Sequence, residues 1–525
     1  MSDQDIGLCS KCRARVPAEF FSRDGKTWIR KDCPTCGPNE ALVSSDAEIW
    51  QTKRDMFKYV PKNRAACKMH CDTCKVNHVP NIVFVDVTNR CNMNCPICIA
   101  TIRDMGFDFN PPLDYFDKLF GQIALLKPQP NVQLFGGEPT VRDDLFEIIA
   151  LAKKHGIKPS VVTNGVRLAD EGYCKTLCEA RVPLRFAFDG RSPDIYEKMR
   201  RNRGAYEKKM KALENLRKYS RRKHAIIACA GKGFNDQYIG DLLTFCHENR
   251  DLISDIGIIP LTENWQEGDF EVGVHTTMED VEKMVQAAIP GGEVEFIPAG
   301  LSYAMKKPRS FFRSNPRSEV LLLAGVHPNC ESWTLLISDG KTYHGVNHYL
   351  TKPFTQVAVE FIEKAQKIEA KLDKLDPTKF WPRLRGRLLI LRTFLPMAAG
   401  RIRWARLIGN PFAALGRLIF GRKSTAPAGD KATPRRARRV LRVGMLPFEE
   451  QHSIDAGRLA NCKAAFAYED ADDGEVKYIP SCLWYPYRNP RLEKLSKKYG
   501  VVNKKGELMT GATAAAADGA AVAAN

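Results

Sequence analysis

The sequence predicts an α/β protein centred on a parallel barrel of six strands, partial or closed, with metal-binding segments on either side. Three observations predict it. Short apolar runs alternate with helical patterns from about residue 81 onward. The C-terminal ends of those runs carry Cys, Gly-Gly-Glu-Pro, Asn-Gly and Asp-Gly, and parallel α/β folds gather their chemistry at strand ends. Ten of the 17 cysteines lie before residue 99 in evenly spaced groups.

The elements follow in order. Asn81 to Val87 (NIVFVDV) reads as a buried strand. Val132–Phe135, Ser160–Val162, Leu184–Phe188, Ala225–Ala230 and Ile256–Ile259 complete the six. Leu113–Leu126, Leu145–His155, Ala169–Ala180, Ala205–Tyr219 and Ile239–Glu248 show helical spacing of apolar residues. The strand ends then present Cys91, Gly136-Gly137-Glu138-Pro139, Thr163-Asn164-Gly165 and Asp189-Gly190.

The chain has 525 residues, 44% apolar and 27% charged, which excludes wholesale disorder and leaves room for appendages to one main domain. No run of about 18 uncharged apolar residues suggests a spanning helix, and the acidic start Met1-Ser-Asp-Gln-Asp does not resemble a secretory leader. A cytoplasmic location is therefore expected, where thiols stay reduced and cysteines at regular spacing mark metal sites rather than disulfides.

Cys9-Ser-Lys-Cys12 and Cys33-Pro-Thr-Cys36 are two CxxC knuckles. Cys67, Cys71 and Cys74 form a CxxxCxxC triad, and Cys91, Cys95 and Cys98 form a second one 24 residues later. Four thiolates in two knuckles suit one tetrahedral ion, zinc or iron. Three in one loop suit a cubane cluster with one iron open or ligated from elsewhere. Cys174, Cys178 and Cys246 sit in helical patterns and read as core thiols.

CxxxCxxC at the end of the first strand, followed by Gly-Gly-Glu-Pro at the end of the second, resembles the radical S-adenosylmethionine (SAM) enzymes. The resemblance implies a [4Fe–4S] cluster on Cys91, Cys95 and Cys98, with SAM on the fourth iron. One-electron reduction would then release a 5′-deoxyadenosyl radical that abstracts hydrogen from carbon. It implies contacts from Gly136, Gly137, Glu138 and Pro139 to the methionine amino group, and from Asn164 and Asp189 to carboxylate and ribose. Ile97 stands before the third cysteine, where the superfamily usually has an aromatic residue.

The further cysteines resemble the tetraether lipid synthase branch, with rubredoxin-like knuckles, the Cys67/Cys71/Cys74 auxiliary triad and late cysteines. In that branch Cys330, Cys462 and Cys482 would surround another auxiliary cluster, with Cys229 as a fourth candidate. One or two auxiliary [4Fe–4S] clusters are expected in all. The implied activity is C–C bond formation on lipid alkyl chains. The alternatives are a radical methyltransferase acting on a 7,8-dihydropterin-like molecule, or a zinc and nucleic-acid binder without activity, against which the Gly-Gly-Glu-Pro turn argues. A low-potential donor such as flavodoxin or ferredoxin is the expected partner, and nucleic acid is not.

Charge is uneven. Residues 383–442 hold sixteen Lys and Arg against one acid, Asp430, and so account for fifteen of the nineteen net positive charges. Leu388–Leu391, Phe394, Leu395, Trp404, Leu407, Ile408 and Leu418–Phe420 interleave with them, which predicts an amphipathic element at the inner face of an anionic membrane, broken at Pro396 and Pro411. The expected organisation is a knuckle domain (1–50), an auxiliary-cluster segment (51–78), the barrel (79–300), an auxiliary-cluster region (301–376), the basic insertion and linker (377–445), a C-terminal auxiliary-cluster segment (446–500) and an Ala-rich tail (501–525).

Overall fold

The computed structural model describes residues 5–12, 14–56, 80–102, 105–262, 275–312, 324–408, 439–448 and 453–500. Cys67, Cys71 and Cys74, most of the linker and the Ala-rich tail lie outside these residues.

The N-terminal unit is a four-stranded antiparallel sheet of β1 (Asp5–Leu8), β2 (Arg15–Arg23), β3 (Lys26–Cys33) and β4 (Gly37–Ser44), in that order. Asp24 and Gly25 turn β2 into β3 with positive φ at both, as a tight hairpin requires. The helix Ala47–Met56 follows and anchors the unit to the main body. Its Lys53 is buried and reaches Glu279 (2.9 Å) and Glu282 (2.8 Å) on the helix Met278–Ala288.

The six expected barrel strands are present: β5 (Ile82–Thr88), β6 (Asn131–Gly136), β7 (Ser160–Thr163), β8 (Leu184–Ala187), β9 (His224–Ala230) and β10 (Ile253–Pro260). They pair in sequence order, all parallel. Such strands are covered on both faces, which is why apolar residues dominate each run, and the polar Gln133, Arg185 and Asp255 among them line the cavity. The five expected helices also form, two of them with the expected bounds, Ala205–Tyr219 and Ile239–Glu248.

The sheet does not end with β5 and β10. The C-terminal chain widens it at both edges. Beyond β10 lie β14 (Val440–Met445), parallel to it, then β12 (Ser332–Ser338), antiparallel to β14. β11 (Ile297–Pro298) and β13 (Tyr343–Gly345) both pair with β12. Beyond β5 lie β15 (Ala464–Glu469), parallel to it, and β16 (Val476–Pro480), antiparallel to β15. The helix Ser481–Lys498 then returns over β5, where Trp484 donates its indole N–H to buried Asp86 (2.8 Å).

Two expectations about the basic segment change. Val440–Met445 is part of the sheet, not of a linker. The helix Phe380–Arg401 runs through Pro396 without a break. Pro396 is exposed, so water can take the Arg392 carbonyl that loses its intrahelical donor. Pro411 lies outside the described residues.

Candidate active site and metal centre

In the N-terminal sheet the two knuckles meet. Cys9, Cys12, Cys33 and Cys36 bring their sulfurs within 4.8 Å of one another, the only such group of metal-ligating side chains among the described residues. The Cys36 amide donates to Cys33 Sγ (3.4 Å). Amides of Cys12 and Lys11 donate to Cys9 and pull its thiol down to about 6, so it offers a thiolate at neutral pH. Four converging sulfurs with no open position suit one tetrahedral ion in a structural role.

The second cysteine loop leaves β5 at the C-terminal mouth of the barrel. Asn89 pins it, donating to the Phe107 carbonyl (2.6 Å) and accepting from the Phe109 amide (2.8 Å). Cys91, Cys95 and Cys98 are half-buried and line one end of a cavity of about 310 Å³. Burial, then the Glu138 carboxylate, pushes the Cys91 thiol up. Burial pushes Cys95 up as well, against the nearby Arg200 guanidinium. Such thiols shed their protons when a cationic centre takes the charge, which suits an iron cluster.

The Gly-Gly-Glu-Pro turn lies against that loop. The Gly137 amide donates to Thr88 O (2.7 Å) and the Glu138 amide to Arg90 O (2.9 Å). A Cβ at Gly136 would stand 2.3 Å from Thr88 O, and one at Gly137 would stand 2.2 Å from Arg90 O. Only glycine permits this approach. Pro139 opens a short 3₁₀ turn that Glu138 caps. The Glu138 carboxylate accepts from Thr140 N (3.1 Å), Thr140 Oγ1 (2.6 Å), Thr163 Oγ1 (2.7 Å) and Asn164 N (2.6 Å). Three of those bonds converge on Oε1 and one on Oε2, so Oε2 keeps a lone pair that a ligand ammonium could use. Glu138 thereby latches the β6 turn to the end of β7.

Asn164 donates to Cys91 Sγ (3.9 Å) and to Asn92 Oδ1 (2.8 Å). Lys209, which the sequence does not single out, ties the ends of β7 and β8 through Asn164 O (2.7 Å) and Ala187 O (2.6 Å). Asp189 is fully buried and accepts a bidentate pair from Arg200, at 3.0 and 2.9 Å, and the Cys229 amide at 3.1 Å. Burial would raise its pKa, but Arg200 holds it below the usual carboxylate range. Arg200 also faces Cys95 and Cys229, which puts a buried cation beside the cluster loop. An arginine closing the helix Pro193–Arg200 ordinarily reads as a solvated face, so no sequence signal marks it. Cys229 belongs to this end of the cavity, packed with Ile97, Met199 and Leu261, and is not grouped with the late cysteines.

Cys330, Cys462 and Cys482 line the same cavity, and each of the other two acts electrostatically on Cys330, but their sulfurs do not all lie within 4.8 Å of one another. Gly325 pairs with Cys462 and allows Cys330 in: a Cβ there would stand 2.3 Å from Cys330 Sγ.

Strand register orders the cavity. Arg185, Ala225, Asp255 and Arg442 form one row across β8, β9, β10 and β14. Cys229 lies four residues further along β9, about 13 Å toward the cysteine loop. Arg442 Nε meets Asp255 Oδ1 at 3.1 Å. Glu331 faces Arg442 and Arg185, and burial raises its carboxyl to about 7. Arg185 Nε is buried with no hydrogen-bond partner among the described residues.

The cluster loop, glycine cradle and barrel define an enzyme that generates a radical from SAM. Comparison with known proteins agrees. The radical SAM superfamily matches residues 85–246, and the HMPTM N-terminal zinc ribbon domain matches residues 2–45. The 7,8-dihydro-6-hydroxymethylpterin dimethyltransferase of Methanocaldococcus jannaschii is 30% identical over 389 residues, covering 70% of this chain and 74% of that protein. The Fe-coproporphyrin III synthase of Methanosarcina barkeri is 30% identical over 135 residues, covering 26% of this chain and 33% of its own length. Streptococcus suis SuiB bound to S-adenosylmethionine is 15% identical with a TM-score of 0.33, over 51% of this chain and 68% of that one. This chain belongs to the radical SAM superfamily and carries an N-terminal zinc ribbon. It is an enzyme that uses a [4Fe–4S] cluster and SAM. The finer resemblance to tetraether lipid synthases is not what these relatives carry.

Proposed function

We propose that this enzyme replaces a C–H hydrogen of a small, hydrogen-bonding heterocycle of the dihydropterin kind, held in the barrel lumen, with a methyl group from a second SAM, which leaves as S-adenosylhomocysteine. The low-potential donor supplies the two electrons that cleave the first SAM to 5′-deoxyadenosine and methionine. The carrying observation is the buried Arg185 Nε, without a hydrogen-bond partner among the described residues, in a row of charged side chains below the cysteine loop. A pterin edge alternates carbonyl acceptors with N–H donors. Arg185 and Arg442 supply donors, and Asp255 and Glu331 supply acceptors. The similarity over 389 residues to a protein named a pterin dimethyltransferase supports the same reading. The lipid reading fares worse on physical grounds, because an alkyl chain filling the lumen would strand these polar groups at about 1–3 kcal/mol each.

When bound, the cluster and SAM supply a 5′-deoxyadenosyl radical on one-electron reduction. The chain supplies the rest. Cys91, Cys95 and Cys98 hold the cluster. The Gly136–Gly137 backbone and Asn164 position the methionine end of SAM. Asp189 acts through Arg200, whose cation faces the cluster sulfurs. Cys330, Cys462 and Cys482 would hold an auxiliary [4Fe–4S] cluster within the same lumen, and Cys67, Cys71 and Cys74 another. A ferredoxin or flavodoxin would deliver the electrons.

The test is anaerobic turnover with dithionite, SAM and 7,8-dihydro-6-hydroxymethylpterin, followed by mass spectrometry of pterin and 5′-deoxyadenosine. Methylated pterin should form in step with 5′-deoxyadenosine. Arg185→Gln should raise the KM for pterin about tenfold, the loss of one bond to a buried cation, and leave uncoupled SAM cleavage unchanged. No pterin product, with SAM cleavage intact, would refute the substrate class alone.

A further inference from the structure

Ten large hydrophobic side chains stand exposed among the described residues, and six of them lie on the single helix Phe380–Arg401. They are Phe380 (72% exposed), Trp381 (68%), Leu384 (36%), Leu388 (58%), Leu391 (42%) and Leu395 (58%). At 3.6 residues per turn the six fall within an arc of about 100°. Two more of the ten adjoin the helix: Phe312, under the Arg387 guanidinium, and Trp404, just past its end.

This face is not the one that holds the helix to the protein. Gly386, Ile390, Phe394 and Met397 do that, the last three packing with Phe311, Ala365, Ile368 and Leu372. On the wheel those anchors point about 90° or more away from the centre of the exposed stripe. The helix is thus apolar on two faces, one used and one bare. Arg385 and Arg392 stand exposed along one flank of the bare stripe. Arg383 and Arg387 lie on the other and donate to the Phe311 carbonyl at 3.1 and 2.8 Å.

We propose that this stripe is a docking surface for an anionic lipid bilayer, with the helix lying in the interface and its flanking arginines among the headgroups. Charge decides the occupant. No acidic residue occurs between Asp376 and Asp430, so a second copy laid on the stripe would set arginine against arginine with no counter-charge. Residues 409–429 of this chain carry the same sign and would be repelled likewise. A single convex ridge of Trp, Phe and Leu also suits a deformable interface, whereas a folded partner would need a matching groove. Among the described residues no helix is long and apolar enough to cross a membrane, so the contact is one of lying on the surface. This docking stands apart from the pterin reading, and a small substrate in the lumen is compatible with it.

The experiment is co-sedimentation of the full-length, anaerobically purified enzyme with vesicles of equal parts phosphatidylglycerol and phosphatidylcholine, against phosphatidylcholine alone. Wild type should pellet with the anionic vesicles and leave them at high salt. Leu388→Glu with Leu391→Glu should lower the partition about a hundredfold, and Arg385→Gln with Arg392→Gln about tenfold. Both pairs are exposed, so SAM cleavage and iron content should not change. Wild type left in the supernatant, or the Glu pair pelleting as well as wild type, overturns the proposal. So does a lipid-free dimer in analytical ultracentrifugation that the Glu pair abolishes, since the stripe would then join two copies.

Discussion

The ribbon and the barrel mouth both gather cysteines in short loops, yet they arrange them for opposite ends. In the ribbon, sulfurs from two hairpin knuckles lie within 4.8 Å of one another and fill a tetrahedron. At the barrel mouth, three sulfurs share one loop, lie further apart, and border a cavity of about 310 Å³. Four thiolates close a coordination sphere and stabilise a fold. Three leave one metal position to be filled by something that reacts. Ligand count and spread therefore separate scaffold from chemistry before any metal is assayed.

The sharpest way to break that contrast is to delete sulfurs from each side. Cys95→Ala should cut 5′-deoxyadenosine formation by at least ~10³-fold, because the cluster loses one of the three thiolates of its loop. Cys36→Ala should leave that rate within about threefold. Equal losses at the two sites would mean that the ribbon metal takes part in the electron path, and the division into scaffold and chemistry would fail.

Arg200 sharpens the comparison from the barrel side. The ribbon's own buried cation, Lys31, donates to the Leu8 carbonyl (2.9 Å) beside Cys9, whereas Arg200 is paired with a carboxylate and neutralises Asp189. Arg200→Met leaves that carboxylate buried and unpaired, a change worth about 3–5 kcal/mol. It should lower both the melting temperature and the iron content after reconstitution. Arg200→Lys keeps the charge but not the planar fork, so it should retain iron and slow SAM cleavage about tenfold. Wild-type stability and turnover in the Met variant would show that the pair is peripheral.

Much of this was legible in the chain and some was not, for identifiable reasons. The six barrel strands emerge close to their true bounds because a strand covered on both faces is mostly apolar, as IVFVDVT of β5 is apart from Asp86 and Thr88. The flanking strands do not emerge. β15 (AAFAYE) is Ala-rich and carries little strand propensity of its own, and it pairs with β5 across some 380 residues of sequence. β14 follows a run of arginines and takes its place only because β10 offers an edge. The site divides the same way. Cysteines and glycines announce themselves by spacing. Arg185 and Arg200 do not, because a buried arginine on a strand or at a helix end has the same local sequence as an exposed one.

The smallest expected effect tests the ribbon itself. Removing its metal with a chelator, in enzyme whose clusters are intact, should lower the melting temperature by a few degrees while 5′-deoxyadenosine formation persists. The reason is the joint between the two units. Lys53, at the base of the ribbon, is held by Glu279 and Glu282, which are buried with it and belong to the barrel's own helix; Ser332 of β12 donates to Glu282 as well. Ser44 of β4 also donates to Glu279 (2.8 Å), so loss of the ribbon's metal loosens β1 to β4 and that one contact but leaves Lys53 in place, and the disturbance should be largely confined to the ribbon. Lys53→Met should do the reverse. It strands two buried carboxylates inside the main body, so it should destabilise the barrel by about 3–5 kcal/mol while the ribbon's metal stays at one ion per chain. If chelation abolishes turnover while Lys53→Met is silent, the ribbon serves the reaction directly and the joint is incidental.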